Sequence, residues 1–166
     1  MNILKLELTH FGKFHLKTIT FTSGLNIVYG KNEAGKSTIH AFVRSMLFGI
    51  QDTEEGNERY SHYLPWETPH DFCGRMWIKK DDKVYRIERN FLRPQPTVRV
   101  FDDETGESLQ PAKQHLRQIL SGLTETSYLN TICIEQLKSA TDPQLAKELE
   151  DMAVNASQSK NLNIDV

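Results

Sequence analysis

A chain of 166 residues has room for one domain with a genuine buried core. Twenty basic against twenty-two acidic side chains leave a net charge of −2, so no global field directs the chain to nucleic acid or to an anionic surface. No apolar run approaches the roughly 18 residues of a membrane span, and the N-terminus alternates Lys, Glu and His with apolar residues, unlike a signal peptide.

Residues 2–9 alternate apolar and polar side chains, with Ile3, Leu4, Leu6 and Leu8 set against Lys5, Glu7 and Thr9, a strand pattern. Phe11-Gly12-Lys13-Phe14 reads as a turn. Alternation resumes over 15–22 through Leu16, Ile19 and Phe21, so an antiparallel pair opens the chain. Gly24 marks the next turn, and Leu25, Ile27, Val28 and Tyr29 read as a buried strand.

That strand leads into Gly30-Lys31-Asn32-Glu33-Ala34-Gly35-Lys36-Ser37, which matches G-x-x-x-x-G-K-[ST], the phosphate-binding loop. Glycines at both ends allow a tight backbone turn, and successive N–H groups then form a nest for phosphate oxygens. Lys36 supplies a cation for the β- and γ-phosphates, and the Ser37 hydroxyl is a Mg²⁺ ligand. Ile39, Phe42, Val43, Met46 and Leu47 follow at helical spacing, ending at a Gly49 cap. A helix start directly after the loop adds its positive dipole end.

From Ile50 to Phe72 no period is visible, and the stretch carries Arg59, Tyr60, His62, Tyr63 and Trp66, an aromatic and cationic set for a long functional loop. Met76–Ile78 and Val84–Phe91 form a hairpin about Asp81-Asp82. Seven basic and three acidic residues between Lys79 and Arg99 could meet DNA phosphates, although such a run is more often the solvated face of strands. Pro94 and Pro96 break the pattern before a strand through Val98, Val100 and Phe101, which Asp102–Gly106 closes as a turn. The acidic end of that strand is the sole candidate in the chain for an Asp-Glu pair holding Mg²⁺, but Arg99 and the following Thr105-Gly106 favour a hairpin turn. Pro111 starts an amphipathic helix through Leu116, Ile119 and Leu120. Leu120-Ser121-Gly122-Leu123 imitates a signature motif but is better explained as a helix cap at Gly122. A short helix is expected at Glu125–Asn130, a short buried strand at Ile132–Ile134, and a last helix after Asp142-Pro143. Cys73 and Cys133, without partner spacing, read as buried free thiols of a cytosolic protein.

The N-terminal antiparallel pair, G-K-N-E-A-G-K-S at Gly30–Ser37, Met46-Leu47-Phe48-Gly49 and the hairpin Tyr85-Arg86-Ile87-Glu88-Arg89 together resemble the N-terminal half of SMC/SbcC-like ATPase heads. The form Asn32-Glu33-Ala34-Gly35-Lys36-Ser37-Thr38 resembles the YhaN-like subgroup. The resemblance implies an α/β P-loop NTPase fold, an ABC/SMC-like head lobe with an antiparallel β subdomain. It implies ATP and Mg²⁺ as ligands, bound through Gly30, Asn32, Glu33, Ala34, Gly35, Lys36, Ser37 and Thr38. By the same resemblance, Gln136 after Ile132–Glu135 joins Ser37 at Mg²⁺ and Lys36 in catalysis, and Arg59 reaches the nucleotide.

On this reading, residues 1–156 are the N-terminal half of a head and 157–166 a polar tail leading to a coiled coil. The partners implied are the C-terminal half of the same head, a second head, a nuclease subunit and DNA, in the cytoplasm and away from membrane. ATP hydrolysis would need the C-terminal half, with its signature and Mg²⁺-acid strand; the fragment alone is expected to be inactive. Two other readings compete: a complete small P-loop phosphotransferase, and a non-catalytic nucleotide-sensing module.

Overall fold

The computed structural model describes residues 1–50 and 58–133. Two compact units divide the chain, Met1–Gly122 and Leu123–Val166.

Five antiparallel strands form the first unit's sheet: β1 (Asn2–Phe11), β2 (Phe14–Thr20), β3 (Cys73–Lys80), β4 (Lys83–Asn90) and β5 (Thr97–Asp102), in the order β2-β1-β3-β4-β5. The expected opening pair is present, in register from Lys5↔Thr20 to Phe11↔Phe14. The β3–β4 hairpin turns on Asp81 and Asp82 at φ 50° and 63°, the left-handed pair a two-residue hairpin requires. Ile19, Leu6, Met76, Ile87 and Val100 line up across the sheet. The last four are fully buried, so this face is the core.

Helix α1 (Lys36–Phe48) packs against β1, β3 and β4. Its buried arc is Ala41, Phe42, Ser45, Met46 and Leu47; Ile39 and Val43, expected on that face, are half-buried. The contact is close because β3 offers a glycine beneath it. A Cβ on Gly74 would stand 2.4 Å from the Phe42 ring and 2.8 Å from the Glu7 carbonyl. Gly49 ends the helix at φ 88°, donating its N–H to the Ser45 carbonyl at 2.8 Å.

The stretch expected to be aperiodic contains a short helix, α2 (Glu58–Tyr63). Farther on, α3 (Ala112–Ile119) packs on β5 and buries Ala112, Leu116 and Ile119. Ser121 and Gly122 follow at φ 53° and 77°, and Gly122 donates to the Arg117 carbonyl at 3.2 Å. The Leu120-Ser121-Gly122 segment is therefore a helix ending. In the second unit, α4 (Glu125–Thr131) is capped by Thr124, whose Oγ1 accepts from the Ser127 amide at 3.0 Å.

Two expected strands are corrected. Leu25, Ile27, Val28 and Tyr29 form no strand and are 87, 75, 46 and 91 % exposed. Apolar residues become a strand only beside another hydrogen-bonding edge, and among the described residues none lies alongside 25–29. Ile132 is the C-cap of α4 and 58 % exposed, so the apolar Ile132-Cys133 pair extends a helix ending rather than starting a strand. Ile134, Gln136, the helix expected after Asp142 and the 157–166 tail lie outside the described residues, as do 51–57.

Arg89 ties the sheet to α1. Its Nε donates to the Met46 carbonyl at 2.8 Å and its Nη2 to the Leu47 carbonyl at 3.1 Å, satisfying last-turn acceptors that the helix itself leaves open. Burial lowers the Arg89 pKa to about 10, so the group is still a cation at neutral pH. A lowered pKa on a cation means that burying its charge opposes folding at every pH below about 10, and the two carbonyls offset that cost. Arg89→Met is expected to lower stability by about 2 kcal/mol and Tm by roughly 4–8 °C in thermal melts. The deficit should be the same at pH 6 and pH 8, because Arg89 stays protonated across that interval.

Candidate functional site

The motif loop bridges the exposed 25–29 segment and α1. Two of its residues adopt left-handed backbone: Glu33 at φ 64° and Gly35 at φ 100°, ψ 14°. Between them the Ala34 N–H donates to the Lys31 carbonyl at 3.2 Å, closing a tight turn. A Cβ on Gly30 would come within 2.9 Å of the Ala34 methyl, so the two ends of the turn nearly touch. Gly35 is also the N-cap of α1, and its carbonyl accepts the first helical bond from Ile39 at 3.0 Å. No side chain caps the helix and no acidic residue sits in its first turn. The amides of Lys36, Ser37 and Thr38 thus lie at the positive end of the dipole.

Lys36 folds back over the loop and donates to the carbonyls of Gly30 at 2.7 Å and Lys31 at 2.8 Å. Its ammonium therefore sits at the loop, with Ser37 the next residue in the chain. Asn32, Glu33, Ala34, Lys36 and Ser37 are exposed, Thr38 half-buried and Gly35 buried. This donor set fits a nucleotide phosphate: a left-handed turn, first-turn amides and an ammonium converge on one loop. Ser37 would be the Mg²⁺ ligand among these residues. Arg59 stands near the start of α2, half-buried. Gln136 lies outside the described residues, so the expected metal pair is represented here by Ser37 alone.

Two residues that the sequence reading left as turn filler touch the loop. Lys13 donates its ammonium to the Glu33 carbonyl. The Phe14 ring occupies the space a Cβ on Gly35 would need, at 2.4 Å. Both contacts link positions about twenty residues apart, and no local pattern announces them. A non-glycine residue in the left-handed region costs roughly 1–2 kcal/mol, the same order as a charge-assisted hydrogen bond.

The end of α2 and the segment after it close against the same turn and the end of β1. The Gly12 N–H donates to the Tyr63 carbonyl at 2.7 Å, and His10 Nδ1 lies 2.9 Å from Thr68 Oγ1. Residues 12–15 and 65–68 line a cleft of about 210 Å³, with Trp66 at its rim, 83 % exposed. Of the aromatic residues expected to make this stretch functional, Tyr60 and Tyr63 pack inward against Phe72 and Phe11.

The acidic strand end is engaged elsewhere. Asp102 Oδ1 accepts from the Glu104 and Thr105 amides at 3.0 and 3.3 Å, while Asp103 accepts from Trp77 Nε1 at 3.0 Å. It belongs to β5, at the opposite edge of the sheet from β2. The arginines of this basic stretch are engaged as well. Glu88 lies within 3.3, 3.3 and 2.9 Å of Arg75, Arg86 and Arg99, Arg93 covers the Tyr60 ring at 4.3 Å, and Arg89 caps α1. Burial, and then Asp71, raise the Cys73 pKa, which keeps this free thiol protonated at neutral pH.

A family model described as an AAA domain matches residues 1–153. The chain belongs to that family. Among curated proteins it is 41% identical over 56 residues to the uncharacterized protein YhaN of Bacillus subtilis (strain 168), covering 33% of this chain and 6% of that protein. It is 26% identical over 146 residues to the DNA double-strand break repair Rad50 ATPase of Thermococcus kodakarensis, covering 82% of this chain and 15% of that protein. The chain thus spans a small part of the length of both relatives. Family match and relatives together place it with the N-terminal region of SMC/SbcC-like P-loop ATPases.

The geometry at Gly35 makes a sharp prediction. Gly35→Ala puts a Cβ into the Phe14 ring on a left-handed residue, so nucleotide affinity should fall at least about tenfold, or about 1.4 kcal/mol. Titration with a fluorescent nucleotide reads the affinity, and an unchanged circular-dichroism spectrum would show that the loss is local.

Proposed function

We propose that the chain is the ATP-binding N-terminal lobe of an SMC/SbcC-like ATPase, acting in DNA repair or DNA end processing. The observation that carries this reading is the loop itself: left-handed Glu33 and Gly35, the uncapped start of α1 and the Lys36 ammonium on one turn. Lys36 and the first-turn amides bind and orient the phosphates. Ser37, with Gln136 by resemblance, would hold Mg²⁺, which supplies charge neutralisation when bound. Thr38, Asn32 and Ala34 complete the loop contacts, and Arg59 is the reaching arginine.

Hydrolysis on this reading needs a second half. Positioning phosphates does not orient an attacking water or meet the charge that develops in transfer. The acid turn at Asp102–Glu104 is committed to its own amides, Trp77 and Arg86, which disfavours a complete phosphotransferase. The exposed Leu25, Ile27 and Tyr29 before the loop support the same view, since a strand of another chain segment would cover them. The C-terminal half of the head would supply that strand along with the signature and acid. A second head, a nuclease subunit and DNA are the further partners of this proposal, and the cytoplasm its place.

Calorimetry should show MgATP and MgADP binding to the 166-residue chain and no binding to Lys36→Ala; equal binding by both would remove the central claim. Phosphate release by the chain alone should stay at background and rise when the C-terminal half is added. In the reassembled head, Gln136→Ala should weaken ATP more than ADP; an unchanged preference would overturn that assignment.

A further inference from the structure

We infer that Lys13 is a positioning residue for the phosphate loop, holding the Glu33 carbonyl and with it the left-handed turn on which the loop's amides depend. The inference rests on the nucleotide-binding reading of that loop and adds a part to it.

Glu33 is the weak point of the turn. Its φ of 64° is one that glycine adopts freely and a glutamate does not. A peptide unit is rigid and trans, so fixing the Glu33 carbonyl fixes the Ala34 N–H on the opposite side. That N–H points to the Lys31 carbonyl at 3.2 Å and closes the turn. Lys36 holds the carbonyls of Gly30 and Lys31 from within the motif. Lys13 holds the Glu33 carbonyl from outside it. Its neighbour Phe14 backs Gly35, the second left-handed residue, leaving no room for a Cβ there.

The lysine is itself well placed to brace. It belongs to the turn between β1 and β2, whose ends are set by the Phe11↔Phe14 pair. Gly12 is bonded to Tyr63, and Phe11 is buried among aromatic rings. An exposed ammonium on so fixed a turn can constrain a loop that has little packing of its own.

The test separates a brace from a direct phosphate contact and from general destabilisation. Lys13→Met should raise the Kd of MgATP and MgADP alike by about tenfold, with the melting temperature unchanged. Lys13→Arg, which keeps a donor, should stay within about threefold of wild type. Glu33→Gly removes the need for a brace, so adding Lys13→Met to it should cost less than about threefold. A loss confined to ATP, or one that persists in full in the Glu33→Gly background, would overturn the inference. Backbone Cα and Cβ chemical shifts of residue 33 provide a readout without nucleotide. Lys13→Met should move them away from left-handed values and Lys13→Arg should not; unchanged shifts in Lys13→Met would also overturn the inference. Should wild type bind no nucleotide, the functional reading fails while the shifts still decide the role of Lys13.

Discussion

The site depends on one buried ring. Phe11 lies at the end of β1, fully buried, with Phe42, Tyr63, Phe72 and Phe91 at centroid distances of 5.1, 5.3, 5.3 and 5.6 Å. Those partners come from α1, from α2 and from the segments before β3 and after β4, so a single side chain gathers most of the first unit. Edge-to-face and offset pairs of this kind contribute beyond the area they bury. The chain leaves Phe11 directly into Gly12, Lys13 and Phe14, the turn that touches the motif loop. Core packing is thereby carried, in two or three residues, to an exposed loop that has no core of its own.

Helix α1 transmits the same order from the other end. Its start is the loop, its middle rests on Gly74, and its last carbonyls are held by Arg89. A helix fixed at its middle and end leaves its first turn little freedom. That suits the role proposed for the loop, in which its amides would converge on phosphate oxygens. The arrangement also shows why the basic hairpin is a poor guide to nucleic acid. Arg89 is spent on the helix, and Arg75, Arg86 and Arg99 surround one half-buried carboxylate on the opposite face of β4. Ion pairs of this type contribute little stability each, but they hold these arginines to a neighbouring carboxylate, which a count along the sequence does not show.

Much of this architecture was legible from the chain. The tight turn at 30–35 and the helix start after it follow from glycines at fixed spacing, and nothing distant can change that requirement. The opening strand pair, the Asp81-Asp82 hairpin, α1 with Gly49, and the Gly122 helix ending all follow from periods and turn residues that act over a few positions. The AAA-domain relationship was visible for the same reason, since its residues are clustered around one loop and one helix.

What needed the tertiary structure was everything that joins distant positions. Leu25–Tyr29 has the composition of a strand, but strand formation is a property of two edges, and no neighbouring edge is written into the segment itself. Ile132-Cys133 carries an apolar pair that a helix ending can use as readily as a strand. Lys13 and Phe14 looked like turn residues because their partners, Glu33 and Gly35, lie twenty-odd positions on. Arg89 looked like one more cation on a basic hairpin until burial placed it against the carbonyls of α1. Local conformational preference is short-ranged and can be read along a chain; hydrogen bonds and packing between segments depend on where the fold brings them, and that is decided only in three dimensions.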